Sequence, residues 1–176
     1  MLFNSATLTL LSLAASSLVL ASPTQRRQCQ TFRTVSDPGF YVSGSIPTSD
    51  FPDDPPYFEN QILEFQPTLT GAGRKCTLFG NFERGFPVRV EGNTKPVLDV
   101  YQRRSSTSKV LIGTFSNLPE VDENGELSDI VSAPLGTVAC TANIVFEFQM
   151  KVKKAGAWAN IAFEEDALSG FDLLAC

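Results

Sequence analysis

Apolar and polar residues alternate most regularly in the C-terminal third of the chain. Between residues 144 and 153 every second residue is apolar, in the order Ile144, Phe146, Phe148, Met150 and Val152. Side chains two apart on a strand point to the same side, so this run predicts an antiparallel strand with one buried face and one solvent-facing face. We therefore expect Phe146 and Phe148 in the core, and Glu147 and Gln149 in solvent.

Residues 62–101 show the same alternation in shorter runs. Cys76, Leu78 and Phe82 share one face of the clearest run, with the smaller Gly80 between them. Turn-forming residues interrupt the stretch at Pro67, Gly71, Gly73, Gly85, Pro87, Gly92 and Pro96. These breaks are too closely spaced for a helix of ordinary length, which favours β-structure throughout.

Further strand-like runs occupy residues 109–116, 158–163 and 171–176, with one or two more near residues 32–42. Residues 130–140 also read as a strand, with a break at residues 134–136. The total is about nine short strands and no helix. The pattern predicts an all-β fold, specifically a two-sheet antiparallel sandwich of jelly-roll or immunoglobulin-like type.

The length of 176 residues suits one domain, preceded by targeting segments. Residues 1–21 contain an uncharged run rich in Leu, Ala and Ser and end in Ala21, which predicts a signal peptide rather than a membrane anchor. Residues 22–27 end in Arg26 and Arg27, a pair typical of kexin-type processing, although a solvated tether is the alternative. We expect a mature domain spanning residues 28–176 and a secreted location, extracellular or in the cell wall.

Four cysteines remain in that domain, an even number in a chain that enters an oxidising compartment. Their wide spacing and the absence of histidine exclude the usual zinc signatures. Three pairings are open for two disulfides. We favour Cys29 with Cys176, which joins the ends, and Cys76 with Cys140, which ties a core strand to a later one.

The formal net charge of −5 becomes −7 once the two arginines of the first 27 residues are removed. An acidic surface argues against nucleic acid or anionic lipid as a partner. We expect a monomer that has no membrane association after signal removal, and whose partner is a cell-wall polysaccharide or a host protein.

Because the chain contains no histidine, Ser-His-Asp and Cys-His nucleophiles and histidine-ligated metals are excluded. Carboxylate chemistry remains, since a glycosidase needs two facing Asp or Glu groups. Glu64 and Glu147 read as solvent-facing strand residues, whereas Asp99 lies in an apolar strand as a buried or rim carboxylate. We expect no catalytic residues, no cofactor and no enzymatic activity.

Two further patterns suggest ligand sites. Trp158, Tyr101 and Tyr57, together with Tyr41, are the aromatics that could bind sugar, although core positions are the default expectation for them. The loop from Asp50 to Asp54 is acidic enough for calcium. Its prolines favour an extended, solvated loop instead, so we expect no metal site.

The family resemblance rests on four groups of residues within 57–176. They are Phe65-Gln-Pro67, Gly73-Arg-Lys-Cys76-Thr-Leu78 with Phe82, Leu98-Asp-Val-Tyr101, and Cys140 followed by Phe146-Glu-Phe148. In these the chain resembles secreted fungal proteins with the ubiquitin-3-binding-protein But-two C-terminal domain. Gln66 departs from the family pattern, and Cys29 and Cys176 lie at or beyond its edge. The intracellular binding that the family name implies is not carried over to a chain with an export signal.

Three classes of function follow. The first is a secreted, non-catalytic fungal protein of the cell wall or secretome, acting at a surface or on a host as an effector. The second is a carbohydrate-binding protein, and the third is a carboxylate-dependent glycoside hydrolase. The sequence favours the first class, because it predicts secretion and disulfides and shows no set of catalytic residues.

Overall fold

The computed structural model describes residues 29–36, 38–48, 54–118 and 120–176, and within these ranges every regular element is a β-strand. The strands are β1 (Gln30–Phe32), β2 (Gly39–Ser45), β3 (Tyr57–Glu59), β4 (Gln61–Phe65), β5 (Lys75–Phe82), β6 (Arg89–Gly92), β7 (Leu98–Arg103), β8 (Lys109–Phe115), β9 (Val131–Ala139), β10 (Ile144–Met150), β11 (Trp158–Glu164) and β12 (Gly170–Ala175). The all-β prediction is confirmed.

The strands form three antiparallel sheets of four. Sheet 1 has the order β1-β12-β5-β9, sheet 2 the order β4-β10-β7-β8, and sheet 3 the order β3-β2-β11-β6. The expectation of about nine strands in two sheets was therefore wrong in count and layout. The physical reason is that β1, β3 and β6 are only three or four residues long, too short to show a period of two.

Sheets 1 and 2 meet where two irregular strands approach each other without pairing. Ile112 of β8 and Leu135 of β9 each fall out of register with the neighbouring strand. A Cβ on Gly113 would overlap the Leu135 carbonyl oxygen, and one on Gly136 would come within 2.8 Å of the Ile112 carbonyl oxygen. Two facing bulges and two glycines thus allow the backbones of β8 and β9 to approach closely where sheets 1 and 2 meet. The break expected at residues 134–136 is a bulge inside one continuous strand.

All three sheets share one core, in which phenylalanine rings connect the layers. Phe148 of β10 contacts Phe40 of β2 at 5.2 Å and Phe171 of β12 at 4.4 Å between ring centroids. Phe82 of β5 reaches Phe163 of β11 at 5.1 Å. These rings are buried, as expected from the alternation in their strands. The inner faces of the sheets are therefore buried in the core. The outer faces and the edges of the sheets are the surfaces that a ligand can reach.

Two disulfides close the fold, between Cys29 and Cys176 and between Cys76 and Cys140. This is the favoured pairing of the three possible ones. The first joins the residue before β1 to the residue after β12, and the second ties β5 to the end of β9. Disulfides of this kind are typical of proteins from oxidising compartments and are consistent with an extracellular location.

Several predictions fall outside the described residues. These are the signal peptide with Ala21, the processing pair Arg26 and Arg27, and most of the acidic loop, including Asp50 and Asp53. Asp54 is described and exposed. Within the described ranges no helix is long and apolar enough to cross a membrane.

Candidate binding face

The outer face of sheet 3 carries three exposed aromatic rings. Strand alternation places Ala159, Ile161 and Phe163 in the core, and the residues between them on the opposite side. Trp158 is 43% exposed and Tyr41, on β2, is 39% exposed. Tyr57, on the edge strand β3, is 55% exposed. We call this outer surface of β3, β2, β11 and β6 the aromatic face.

Strand register defines the layout of the aromatic face. Three rows cross the sheet: Tyr57, Ser45 and Trp158; Glu59, Ser43, Asn160 and Glu91; and Tyr41, Ala162 and Arg89. Tyr57 and Trp158 are two strand spacings apart, or about 10 Å between Cα atoms. Tyr41 opposes Ala162, four residues along β11 from Trp158, or about 13 Å along the strand. The rings are spread over the face instead of stacking on each other.

Tyr57 is held in place by a neighbour on its own strand. Its hydroxyl donates a hydrogen bond of 2.7 Å to Glu59 Oε2. The bond to the carboxylate, helped by burial and by the charge of Glu59, raises the pKa of Tyr57 above its ordinary value. The phenol therefore stays protonated at physiological pH, with its ring positioned on the face.

The middle row supplies polar groups between the rings. Glu91 accepts hydrogen bonds from Asn160 Nδ2 at 3.0 Å and from Arg89 Nε at 2.7 Å. These partners, Asn160 first, lower the pKa of Glu91. Ser43 is buried at the centre of the row, and its Oγ has no hydrogen-bond partner among the described residues. The row thus contains fixed acceptors and one unsatisfied hydroxyl.

A tight turn sets the position of Trp158 at the start of β11. The Ala157 amide donates to the Lys154 carbonyl at 3.1 Å, and Gly156 adopts a φ of 74°, which favours glycine. The Asn93 side chain joins this turn to the end of β6, since its Oδ1 accepts from Trp158 N at 3.0 Å and its Nδ2 donates to the Gly156 carbonyl at 2.8 Å. The indole is therefore carried by an anchored backbone.

Shallow grooves border the face at both ends. One, of about 490 Å³, lies beside Trp158 and is lined by Ser45, Thr48, Asp54, Pro55 and neighbouring residues. Another, of about 580 Å³, lies beside Tyr41 and is lined by Gln61, Ala162 and Glu164 among others. Trp158 and Tyr41 thus each form one wall of an open groove.

Tyr101 lies elsewhere, on the outer face of sheet 2. It is half-buried, and the Lys109 ammonium lies 4.5 Å from its ring centroid. The structure therefore brings together Trp158, Tyr57 and Tyr41 from the predicted binding aromatics, and separates Tyr101 from them. The default expectation of core positions was wrong for the three residues of the aromatic face.

Glu147, opposite Tyr101 in register, also differs from expectation. It points away from the core as predicted, but only 8% of it is exposed. Its carboxylate contacts Lys109 Nζ at 2.7 Å, Asn60 Nδ2 at 3.0 Å and Arg103 Nε at 3.7 Å. The prediction of a solvated Glu147 was wrong because the long side chains of neighbouring strands cover it.

The carboxylates of Asp99, Glu59 and Glu91 are not arranged as a hydrolytic pair. Asp99 Oδ1 is engaged by Lys151 Nζ and by Thr114 Oγ1, both at 2.7 Å. On the aromatic face, Glu59 and Glu91 are three strand spacings apart, or about 14 Å between Cα atoms. The Glu59 carboxylate accepts from the Tyr57 hydroxyl and that of Glu91 accepts from Asn160 and Arg89, so both already have partners. Neither arrangement presents two free carboxylates across a cleft.

Metal ligation has no cluster of ligands in the part of the chain that the structure describes. The described ranges contain no group of three or more Cys, Asp or Glu side chains that could hold an ion. Asp122, in the acidic loop of residues 120–126, accepts hydrogen bonds through its Oδ1 from the amides of Asn124 and Glu126 at 2.8 and 2.9 Å. These bonds, with that from Glu126 largest, lower the pKa of Asp122, and the loop is a hairpin turn at Gly125.

No protein-family model and no curated protein matches this chain. The resemblance to the But-two C-terminal domain thus stays a prediction.

Sequence reasoning overlooked the polar residues of the aromatic face, namely Ser43, Asn160 and Glu91. A signal for Asn160 was available, because the alternation of Ala159, Ile161 and Phe163 already places Trp158 and Asn160 on the opposite side. The pairing of β11 with β2 and β6 brings Ser43 and Glu91 beside them, and no local pattern predicts that pairing.

Proposed function

We propose that this chain is a secreted, non-catalytic protein that binds cell-wall polysaccharide through the aromatic face. The observation that carries the proposal is the placement of Trp158, Tyr57 and Tyr41, all well exposed, on the outer surface of one sheet. The proposal keeps the expected class, a fungal wall or secretome protein, and assigns it a binding surface.

The chemistry of a sugar ring suits such a face. A pyranose has an apolar C–H surface that packs on an aromatic ring, and equatorial hydroxyls that need hydrogen-bond partners. The carboxylates of Glu59 and Glu91 and the amide of Asn160 provide such partners between the rings. Rings spaced by about 10 Å or more fit an extended chain of sugars better than a single small molecule.

A role without catalysis is supported by the hydrogen bonds and ion pairs that already occupy the carboxylates of Asp99, Glu59 and Glu91. We expect the purified protein to release no reducing sugar from wall polysaccharides and no product from ester or peptide substrates. Activity that survives purification and disappears in Asp99→Asn, with the fold intact, would contradict a purely binding role.

The test is retention on chitin, β-glucan and mannan beads. The variants are Trp158→Ala and Tyr57→Ala, and the matched control is Leu111→Ala, an equally exposed apolar residue (50%) on sheet 2. We expect the wild type to be retained on at least one polymer, and each ring deletion to weaken binding by about tenfold, the equivalent of 1.4 kcal/mol. Leu111→Ala should bind as the wild type does.

Two results would overturn the proposal. One is no retention on any polymer by the folded wild type. The other is retention that is unaffected in the Trp158→Ala and Tyr57→Ala double variant, because binding would then use another surface. Circular dichroism of each variant shows whether the fold is kept.

A further inference from the structure

Four of the six lysines in this acidic chain lie around one groove. The groove has a volume of about 400 Å³ and lies between the segment that follows β6 and the segment that joins β10 to β11. It is lined by Thr94, Lys95, Val97, Lys151, Val152, Lys153, Lys154 and Ala157. We call it the lysine groove.

The four lysines differ in whether a described carboxylate pairs with them. Lys151 Nζ is paired with Asp99 Oδ1 at 2.7 Å. Lys95, Lys153 and Lys154 are exposed and form no ion pair with any described carboxylate. Like charges held close together repel each other, so such a cluster favours an anion that neutralises it.

The walls of the groove are held by backbone hydrogen bonds. The Lys151 amide donates to the Val97 carbonyl at 2.8 Å, which joins the two segments at one end. At the other end Asn93 bonds to Gly156 and Trp158, and the turn from Lys154 to Ala157 is closed by its own hydrogen bond. The lysines are therefore presented from a preorganised backbone, which reduces the ordering cost of binding.

The lysine groove adjoins the aromatic face. Ala157 lines both this groove and the groove beside Trp158, and Trp158 is the next residue in the chain. We propose that the lysine groove binds the acidic groups of an anionic polysaccharide while a neighbouring sugar ring of the same polymer packs on Trp158. The inference rests on the proposed function, since it names the class of glycan that the aromatic face takes.

Charge elsewhere on the molecule favours a glycan over other polyanions. The whole chain has a net charge of −5, and the aromatic face itself carries Glu59, Glu91 and Glu164 with only Arg89 opposing them. A long nucleic acid or a membrane surface would meet this negative field. A polysaccharide with spaced acidic groups can place them in the groove and neutral parts over the face.

The experiment compares a hyaluronan hexasaccharide, in which acidic and neutral sugars alternate, with its fully methyl-esterified form, which has the same sugars without the charge, by calorimetry at low and moderate salt. We expect the acid to bind at least about tenfold more tightly at low salt and to lose this advantage as salt rises. The triple variant Lys95→Gln, Lys153→Gln, Lys154→Gln should lose the advantage and bind both forms equally. The triple variant Lys75→Gln, Arg84→Gln, Arg104→Gln, which removes three exposed positive charges outside the groove, is the matched control and should keep it.

The outcomes separate this inference from the proposed function. Equal binding of acid and ester by the wild type, with loss in Trp158→Ala, would overturn the inference and leave the aromatic face in place. Binding of neither form would contradict the inference, and the bead assay would then decide the proposed function by itself. Inorganic phosphate, polyuridylate and phosphatidylserine vesicles are added separately, and tighter binding of any of them than of the hyaluronan hexasaccharide would overturn the choice of a glycan.

Discussion

The outer faces of sheets 2 and 3 are built from similar residue types and differ in how these are used. On sheet 2 the charged side chains pair with each other, as Glu147 does with Lys109 and Asp99 with Lys151. On sheet 3 the rings of Trp158, Tyr57 and Tyr41 remain open to solvent. A face whose groups have already found partners stabilises the fold, whereas one with exposed rings is available for a ligand.

Substitutions in the core below both faces should lower the free energy of unfolding the most. Phe148 is fully buried and packs on Phe40 and Phe171. We expect Phe148→Ala to lower the free energy of unfolding by about 3 to 5 kcal/mol, because it leaves a cavity between sheets. Denaturant melts measure the loss. A loss smaller than that of any outer-face substitution would mean that the strand register is inverted.

Glu165, a half-buried residue with one buried carboxylate oxygen, offers the sharpest contrast with Glu147. Glu165, in the loop before β12, accepts the Phe171 amide at 2.8 Å through Oε1, while its buried Oε2 has no hydrogen-bond partner among the described residues. Burial raises the pKa of Glu165 to about 7. The charge of Asp172 also raises this pKa, whereas the Phe171 amide and the charge of Arg33 lower it. Because the folded state favours the protonated form, ionisation of Glu165 destabilises the fold.

Stability should therefore decrease as the pH rises from about 4.5 to 7. We expect Glu165→Gln to match the wild type at pH 4 and to exceed it at pH 8 by at most about 3 kcal/mol. Urea melts of both proteins at the two pH values measure the difference. A gain that is the same at pH 4 and pH 8 would show that the titration of Glu165 has no part in it.

Removal of the paired carboxylate of Glu147 on sheet 2 should destabilise the fold, whereas Glu165→Gln should stabilise it. Glu147→Ala leaves Lys109 and Arg103 without their shared acceptor, and we expect a loss of about 2 kcal/mol, less than for a fully buried pair because both bases are partly exposed. Trp158→Ala, on the open face, should change stability by no more than about 0.5 kcal/mol. Equal losses in both variants would remove the distinction between the two faces.

Local patterns in the sequence predicted the inner faces well. The alternation around Phe148 and in residues 76–82 places the same residues in the core as the structure does, because burial of one strand face is encoded two residues at a time. The division into three sheets was not predictable this way. The boundary between sheets 1 and 2 depends on the close approach of β8 and β9 that Gly113 and Gly136 allow, which is a contact between separate segments of the sequence.

The outer faces were predicted less well for a related reason. Whether an outward residue is solvated depends on its neighbours across strands, as the covering of Glu147 by Lys109 and Arg103 shows. Trp158 was expected in the core because of its residue type, while the alternation of its own strand placed it outside. For a residue on a strand, the alternation of buried and exposed neighbours predicted its exposure better than the usual burial of its residue type.

The two disulfides also determine how the protein responds to proteolysis. The bond between Cys29 and Cys176 encloses all of the described residues in one covalent ring, and the bond between Cys76 and Cys140 forms a smaller ring within it. A single peptide bond cut anywhere between Cys29 and Cys176 leaves one connected molecule. A protease must cut at least twice before any fragment can diffuse away, so a nicked chain can keep its strands, and its aromatic face, assembled.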